Sequence, residues 1–388
     1  MRVLPLAQKT RAILRPDPWL VPFSIGVGSR VALFTLALVF VAWRPGEAGP
    51  SRVVPKPELV SSFMRWDAGW YEEIARNGYI WNGPREQSAF AFFPVYPMLA
   101  RVVSWGLGGD VKSALFLISN ISFLVFLLYL HKICAFEFDS ETAERTVLLV
   151  ALFPLSYFYS AGYTESLFLA LAAGSLYHAR TGRWWIAAGL SGVAALTRLA
   201  GMALLLPLAW EWHSRRRSRL EALGLLLPPA ALGLFMLFCW RVTGDPLAFA
   251  TVQAAWDRRV VGLGTTLSFS SQALSVIPYW HYFRPLLVLD LASMITHLGL
   301  LLISLRLMAP SYWLYCLPLY MLSTLSLTLG AGSLPTGSIG RYLMALFPNF
   351  MLLGSLCRNK WLYYLSLSLF AMLGAPLALN FFAGTWTE

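Results

Sequence analysis

The sequence predicts an all-α polytopic membrane protein, and three observations support this fold class. Of the 388 residues, 57% are hydrophobic and 13% are charged, whereas soluble domains carry about 25% charged residues. Apolar runs long enough for a helix to cross a bilayer recur along the whole chain. Basic residues cluster in short segments beside those runs, as in cytoplasmic loops. We therefore expect residues 1–388 to form a single integral membrane domain.

The basic residues and the cysteines argue against several other kinds of protein. The net charge is +11, but the basic clusters, such as His213–Arg219 and Arg180–Arg183, flank apolar runs. Membrane topology explains that placement, so we expect no nucleic-acid partner. The four cysteines lie in or beside apolar runs without a CxxC spacing, which disfavours a disulfide framework or a zinc site.

The first predicted span, Trp19–Trp43, is too long for the apolar region of a signal peptide, and we interpret it as an uncleaved anchor. With the basic residues before it in the cytoplasm, residues 44–111 form a first extracytoplasmic loop and residues 243–284 a second. Ala89–Leu107, in the first loop, is interrupted by prolines and is predicted to be an interfacial helix. We expect about 11 transmembrane or re-entrant helices, the others being Lys112–Ile133, Val147–Ala161, Ser166–His178, Trp184–Trp212 (counted as two), Leu220–Trp240, Pro285–Leu305, Ser311–Leu329, Tyr342–Leu356 and Trp361–Phe381.

The segment Trp184–Trp212 is predicted to double back within the membrane. Basic clusters flank both of its ends, so both ends are expected in the cytoplasm. Its polar break at Thr197 and Arg198, followed by Gly201, is the natural apex. Non-helical backbone at membrane depth is tolerated only where protein buries it or where it lines a wet cavity. We therefore expect Arg198 to point into a cavity.

The first loop holds the densest run of acidic and aromatic residues in the chain. If Phe63–Gly78 is one helix, Trp66, Trp70 and Ile74 form a narrow apolar stripe. Such a stripe is suited to lying on a membrane surface. Asp67 falls on this apolar side, where a carboxylate is disfavoured unless it has a partner.

Asp67 is therefore the leading candidate for a general base, because a carboxylate on a dry surface gains affinity for a proton unless a cation offsets it. The alternative is that Asp67 pairs with Arg65 or caps a helix. Glu73, at an intermediate position, is the reserve candidate, and Glu72 is on the wet side. Asp67, Glu72 and Glu73 could together hold a divalent cation, although we expect no cofactor.

Several arginines on the same side could bind a phosphate. Arg258 and Arg259 lie in the second loop, and Arg341 stands at the start of an apolar run. Arginine binds phosphate with two parallel hydrogen bonds. Surface contact with anionic headgroups is the alternative for Arg258 and Arg259. His281 and His297 stand alone in the sequence, so a nucleophilic triad is not indicated.

Four sequence motifs resemble the second mannosyltransferase of glycosylphosphatidylinositol (GPI) synthesis, the PIG-V-like family. They are RWDAGWYEEIARNGY with AFAFFPVYP, ALFPLSYFYSAGYTESLF, GLSGVAALTRLAG and GRYLMALFP. They occur in the family's order, between about residues 63 and 348. The family's eukaryotic pattern often has an acidic residue and a histidine after its Trp-Asp-Ala, where this chain has Gly69 and Trp70. The compact loops favour a prokaryotic relative whose acceptor need not be a GPI precursor.

The resemblance implies a GT-C glycosyltransferase fold and a sugar donor in which mannose is linked to polyprenyl phosphate or dolichyl phosphate. It maps the family's motif residues onto Trp66 with Asp67, onto Glu165, onto Arg198, and onto Arg341 with Tyr342. Asp67 would then accept the proton of the attacking hydroxyl, and the arginines would stabilise the departing lipid phosphate.

We accordingly expect an inverting mannosyltransferase that transfers mannose to a lipid-linked or glycolipid acceptor on the extracytoplasmic face. The expected membrane is the prokaryotic plasma membrane, or the endoplasmic reticulum in a eukaryote. The alternatives are a transporter or lipid flippase that uses intramembrane charges such as Arg30, Arg198 and Asp290, and a non-catalytic subunit of a mannosyltransferase complex. The expected site comprises Asp67 and Glu73 as catalytic residues, Arg341, Tyr342, Arg198 and Arg258 at the donor phosphate, and Trp66, Trp70, Tyr71, Glu165 and Gln253 at the substrates.

Overall fold

A computed structural model describes residues 19–43, 48–49, 52–53, 58–278, 281, 283–328 and 336–385. The basic residues before the first predicted span lie outside the described residues, as do parts of both predicted outer loops. The α-helices of the described residues are Leu20–Trp43 (α1), Leu59–Ser62 (α2), Asp67–Asn77 (α3), Val95–Trp105 (α4), Val111–Glu137 (α5), Ser140–Ala151 (α6), Glu165–Arg180 (α7), Trp184–Ala195 (α8), Leu205–Ser214 (α9), Leu227–Thr243 (α10), Ala248–Thr251 (α11), Leu263–Val276 (α12), Phe283–Leu307 (α13), Pro310–Thr324 (α14), Ile339–Leu343 (α15), Phe347–Leu356 (α16) and Lys360–Phe382 (α17).

The protein is a multi-pass integral membrane protein. Five helical segments of the described chain are long and apolar enough to cross a bilayer. They are Leu20–Trp43, Val111–Glu137, Glu221–Thr243, Phe283–Leu307 and Lys360–Phe382. Each coincides with a predicted span to within a few residues at either end. The third begins with a 3₁₀ turn, Glu221–Leu226, that continues into α10.

Two predicted spans are wrong as continuous helices. The expected span Val147–Ala161 is occupied by the end of α6 and, after a break, a 3₁₀ turn at Ser156–Tyr159. Pro154 falls in that break, and proline disfavours helical backbone in the residue before it. The expected span Tyr342–Leu356 is divided between α15 and α16. These breaks place irregular backbone in the protein interior, where other segments cover it.

The predicted helix Phe63–Gly78 is also broken, and its apolar stripe is covered by protein and not free to lie on a membrane surface. Helix α3 begins at Asp67, and Trp66 before it adopts a left-handed backbone with φ 39°, which is costly for a residue other than glycine. Ile74 is fully buried, and Trp70 stacks on Phe92 at 5.8 Å between ring centroids. The apolar stripe thus packs against protein.

The predicted break within Trp184–Trp212 is present, and Trp184 and Leu208 on either side of it belong to one hydrophobic cluster; its re-entrant position in the membrane stays a prediction. Helix α8 ends at Ala195, and a 3₁₀ turn at Leu199–Leu204 leads into α9. Arg198 lies at the apex in extended backbone, with φ −155° and ψ 148°. A Cβ atom on Gly201 would lie 2.4 Å from the backbone carbonyl carbon of Ala194. The returning chain can therefore approach α8 this closely only at a glycine.

Helix α7 forms much of the protein centre. Its alanines and Gly174 are buried or nearly so, and small residues let neighbouring helices approach closely. Among the described strands, Ala48–Gly49 (β1) pairs antiparallel with Arg52–Val53 (β2). A second pair of short strands makes a long-range connection. Arg258–Val260 (β3) pairs antiparallel with Ser326–Thr328 (β4). This pairing fixes the second predicted outer loop beside the chain that follows α14.

Candidate active site

Charged side chains of distant segments meet in one cavity of about 520 Å³. Its charged lining comes from the start of α3, the start of α7, the hairpin apex, β3 and α15. The six charged residues of the lining are Asp67, Glu165, Arg198, Arg258, Arg259 and Arg341. The rest of the wall is mostly apolar, including Phe168, Leu169, Leu319, Leu322 and Ala345.

Arg341 links the two carboxylates of this cavity. Its Nε donates to Oε1 of Glu165 at 2.7 Å, and its Nη2 donates to Oδ2 of Asp67 at 3.1 Å. The guanidinium carbon lies 4.2 Å from the ring centroid of Tyr163 and 5.1 Å from that of Phe158. The side chain is only 3% exposed. A guanidinium held on two sides by carboxylates and packed on rings has a fixed orientation.

Glu165 is shared by two arginines, because Nη1 of Arg198 also contacts its Oε1, at 2.7 Å. The residue stands at the turn before the predicted span Ser166–His178. Burial raises the pKa of the Glu165 carboxyl, but Arg198 and Arg341 outweigh burial and lower the pKa to about 2. Glu165 is therefore ionised at neutral pH, and its charge balances part of the arginine charge.

Asp67 differs from Glu165 in its accessibility. Its side chain is 26% exposed, against 5% for Glu165. It is the first residue of α3, where the partial positive charge of a helix N-terminus favours a carboxylate. Among the described residues the ion pair of Asp67 is with Arg341 and not with Arg65, which donates to the backbone carbonyl of Phe382. Asp67 can thus contact a molecule in the cavity while Arg341 holds one of its oxygens.

Arg258 and Tyr342 form a second polar group in the cavity. Nη2 of Arg258 donates to the Tyr342 hydroxyl at 2.6 Å. The guanidinium carbons of Arg258 and Arg198 lie 5.5 and 5.7 Å from the Tyr342 ring centroid. Tyr342 raises the pKa of Arg258 against the effect of burial, and Asp67 adds to the rise. Arg258 therefore carries its charge while donating to the Tyr342 hydroxyl.

The structure brings some of the predicted substrate residues to the cavity and leaves others behind its wall. Tyr71 and Gln253 line the cavity. Trp66 packs edge-on against Phe381 at 5.2 Å between ring centroids, and Trp70 stacks on a neighbouring ring, so both are wall-supporting residues. None of the described cavity lining comes from Trp66 or Trp70.

Glu73, the reserve catalytic candidate, does not belong to the described cavity lining either. It accepts a hydrogen bond from Nδ2 of Asn77 at 2.7 Å. Six helical positions separate it from Asp67, which places it about 120° around α3. Glu72 pairs with Arg76 at 3.0 Å. Asp67, Glu72 and Glu73 thus have separate partners, and no group of three potential metal-ligating side chains occurs in the described part of the chain.

Some contact residues are absent from the set predicted from sequence. Thr164 accepts hydrogen bonds from Nη1 of Arg198 at 3.3 Å and from the Tyr71 hydroxyl at 3.5 Å. Tyr163 and Phe158 lie beneath Arg341. All three belong to the ALFPLSYFYSAGYTESLF motif. Their presence in that motif was the available signal, but only the fold shows that they support an arginine about 180 residues away in sequence.

Comparison with known proteins finds a family similar to the first part of the chain. Residues 49–214 match the family model described as Mannosyltransferase (PIG-V). Over these residues, somewhat less than half of the chain, the protein is similar to the PIG-V mannosyltransferase family. This PIG-V region contains Asp67, Glu165 and Arg198, whereas Arg258, Arg341 and Tyr342 lie beyond it.

Curated relatives carry related names. GPI mannosyltransferase 2 of Yarrowia lipolytica is 26% identical over 188 residues, which cover 47% of this chain and 50% of that protein. GPI alpha-1,6-mannosyltransferase 2 of Homo sapiens is 28% identical over 200 residues, which cover 48% of this chain and 39% of the human protein. The PIG-V-like chain thus spans about half or less of the length of these relatives.

Solved structures support the predicted fold class. ArnT from Cupriavidus metallidurans bound to undecaprenyl phosphate aligns with a TM-score of 0.51 at 18% identity, covering 85% of this chain and 60% of ArnT. The apo state of ArnT aligns with a TM-score of 0.50, covering 86% of this chain and 61% of ArnT. The PIG-V-like chain therefore has the helical GT-C membrane fold, as expected.

Proposed function

We propose that this protein is an inverting mannosyltransferase that acts on lipid-linked substrates. The donor is mannose linked to polyprenyl phosphate or dolichyl phosphate, and the acceptor is a hydroxyl of a lipid-linked or glycolipid molecule. The observation that carries the proposal is that Asp67, a partly exposed carboxylate, lines the same cavity as four arginines. The match of residues 49–214 to a mannosyltransferase family model supports the choice of sugar.

The charge of the cavity suits a phosphate leaving group. Four arginines and two carboxylates line it, which leaves an excess of two positive charges. A departing phosphate monoester carries a charge of about −1.5 to −2 near neutral pH. Fixed positive groups at the position where that charge develops stabilise the transition state. Arginines alone can supply this stabilisation.

The contacts divide the arginines into two roles. Arg341 donates to both carboxylates, so its main role is to orient Asp67, with phosphate contact second. Arg258 donates to the Tyr342 hydroxyl, and it forms no ion pair with a carboxylate among the described residues. We therefore assign the donor phosphate first to Arg258 and Tyr342, with Arg198 beside them.

In the proposed reaction Asp67 accepts the proton of the acceptor hydroxyl. The acceptor oxygen forms a bond to the anomeric carbon of mannose from the face opposite the phosphate. The bond between that carbon and the phosphate oxygen breaks, and the electron pair leaves on the lipid phosphate. The configuration of the anomeric carbon is inverted, and Asp67 ends protonated.

The apolar part of the cavity provides a path for lipid chains. Leu319 and Leu322 of α14 line it, and Leu322 is exposed on the outer surface of that helix. In an integral membrane protein such a surface faces lipid tails. ArnT, whose structure contains undecaprenyl phosphate, is a protein of the same fold that binds a lipid of this class.

The transporter alternative is weaker because its intramembrane charges have separate structural partners. Arg30 donates to the carbonyl of Ser156 at 2.9 Å and to Oγ of Ser160 at 3.1 Å. Asp290 accepts from the backbone N–H of Gly340 at 2.7 Å. Of the three charges named for a transport pathway, Arg198 alone belongs to the described cavity lining. A pathway would require them to converge.

The proposed orientation follows from the basic clusters, which are expected on the cytoplasmic side. It places the N-terminus in the cytoplasm and the cavity on the extracytoplasmic face. We favour a prokaryotic plasma membrane because the loops are compact.

The test compares Asp67→Asn with the matched variant Glu73→Gln on the same helix. Purified enzyme in lipid nanodiscs receives polyprenyl-phosphate mannose and a glycolipid acceptor, and mannosylated product is quantified. Loss of a general base is expected to reduce kcat by about 10²- to 10⁴-fold, whereas Glu73→Gln should remain within about two-fold of wild type.

A near-normal rate for Asp67→Asn contradicts the assignment of Asp67 as the general base. Selective loss of activity in Glu73→Gln would assign the general base to Glu73. Absence of transfer by folded wild-type protein with both substrates contradicts the enzymatic proposal. Restoration of transfer by a partner mannosyltransferase, independent of Asp67, would identify a non-catalytic subunit.

A further inference from the structure

Asp290 of α13 is a buried carboxylate that the proposed reaction does not use. It is 6% exposed. Its Oδ1 accepts the backbone N–H of Gly340 at 2.7 Å, and its Oδ2 accepts the Thr336 hydroxyl at 2.5 Å. No ion pair to Asp290 occurs within the described part of the chain. Burying a charge without a cation is unfavourable, so a buried carboxylate held by these two hydrogen bonds is expected to have a structural role.

The segment that Asp290 holds leads directly into Arg341 and Tyr342. Ser338 in this segment has a left-handed backbone, with φ 71°, a conformation that persists only when its surroundings enforce it. A Cβ atom on Gly340 would lie 2.8 Å from Oδ1 of Asp290. The carboxylate thus contacts the backbone at a point where only a glycine fits without displacement.

We propose that Asp290 is a positioning residue for the reaction. By fixing the backbone at Gly340, it sets the direction from which Arg341 reaches Asp67 and Tyr342 reaches Arg258. The expected effect of Asp290 on turnover rests on the proposed mannosyl transfer. Its expected effect on the backbone does not depend on that function.

The activity test uses Asp290→Ala alone and in an Arg341→Lys background. A displacement near 1 Å at a reacting group can cost about 10²-fold in rate, so Asp290→Ala is expected to lower kcat by about 10- to 100-fold with little change in the KM for donor. Asp290→Asn, which keeps an acceptor oxygen, should recover most of that loss. In Arg341→Lys enzyme, Asp290→Ala should cost at most about two-fold further, because coupled residues are not additive. Full additivity would contradict a role through Arg341.

The backbone test uses hydrogen exchange and needs no substrate. In Asp290→Ala, amides of residues 336–343 should exchange faster while the remaining helices keep their wild-type rates. Ser293→Ala is the matched control, because Ser293 is also buried, lies nearly one turn along α13, and faces Gly340. It should leave both exchange and activity unchanged.

The two tests fail separately. If amides of residues 336–343 exchange faster in Asp290→Ala but the wild-type protein shows no mannosyl transfer, the backbone role is supported and the proposed function is contradicted. Unchanged exchange, or faster exchange spread over the whole protein, overturns the positioning role. If Asp290→Ala does not fold, Thr336→Val removes one of the two hydrogen bonds and is expected to give a three- to ten-fold loss of kcat with faster local exchange. Wild-type behaviour of folded Thr336→Val in both tests would also overturn the proposal.

Discussion

Replacement of Glu165 by glutamine should test whether this residue balances arginine charge or binds substrate. Glu165 contacts Arg198 and Arg341, each at 2.7 Å. One such pair is worth about 4 kcal/mol at an effective dielectric constant of 20, and burial of the carboxylate offsets part of this. Removal of one partner from a buried ion pair typically costs about 3–5 kcal/mol. We expect about 3 kcal/mol for Glu165→Gln, since the amide oxygen can still accept from one arginine.

The assay is thermal unfolding in nanodiscs, with a second variant to separate the causes. A loss of this size should lower Tm by roughly 5 °C. Adding Arg198→Met to Glu165→Gln removes one unbalanced positive charge and should recover about 2 kcal/mol, a coupling of the size seen for contacting residues. Glu72→Gln is the control, because Glu72 pairs with Arg76 at the protein surface and should change Tm little.

The result that would refute this reasoning is specific. If Glu165→Gln unfolds at the wild-type temperature and only the KM for a substrate rises, Glu165 contacts substrate, as the sequence alone suggested. If Arg198→Met lowers the stability of Glu165→Gln further, charge balance is not the role of Glu165.

Three further predictions concern pH, phosphate contact and the hairpin. The folded-state pKa of Glu165 is lowered to about 2 from its ordinary value near 4.5. The stabilisation that Glu165 contributes is therefore present above about pH 4.5 and is lost as the pH falls towards 2. In thermal unfolding, the stability difference between wild type and Glu165→Gln should shrink over that pH window. Arg258→Gln should lower kcat/KM for the donor by about 10²-fold or more, measured by initial rates, while Arg259→Gln at the more exposed neighbouring position should cost at most about three-fold; equal losses would contradict the assignment. Gly201→Ala should destabilise the fold by about 3 kcal/mol or prevent accumulation of folded protein, because the added Cβ would lie 2.4 Å from backbone atoms. Gly189→Ala is the control, because nothing lies within 4 Å of its added Cβ. It should behave as wild type in thermal unfolding and in yield of folded protein.

The candidate base illustrates how a local pattern can identify a residue and misplace its surroundings. The helical projection singled out Asp67 as a carboxylate on an apolar stripe. In the structure α3 begins at Asp67, so Trp66 lies outside the helix and the stripe packs on protein. The helix period describes relative directions within one helix, but it does not show where that helix begins or what covers it.

The sequence by itself determined the membrane class, the long spans, the doubled-back hairpin and the set of motif residues. These features follow from the length and spacing of apolar runs, from flanking charge and from glycine at a close approach, all of which are local. Only the tertiary structure decided that Arg341 holds Asp67 across 274 positions, that Glu165 is shared by two arginines, and that Asp290 holds the backbone before Arg341. Partners this distant in sequence are chosen by packing of the whole fold, and spacing along the chain carries no information about them.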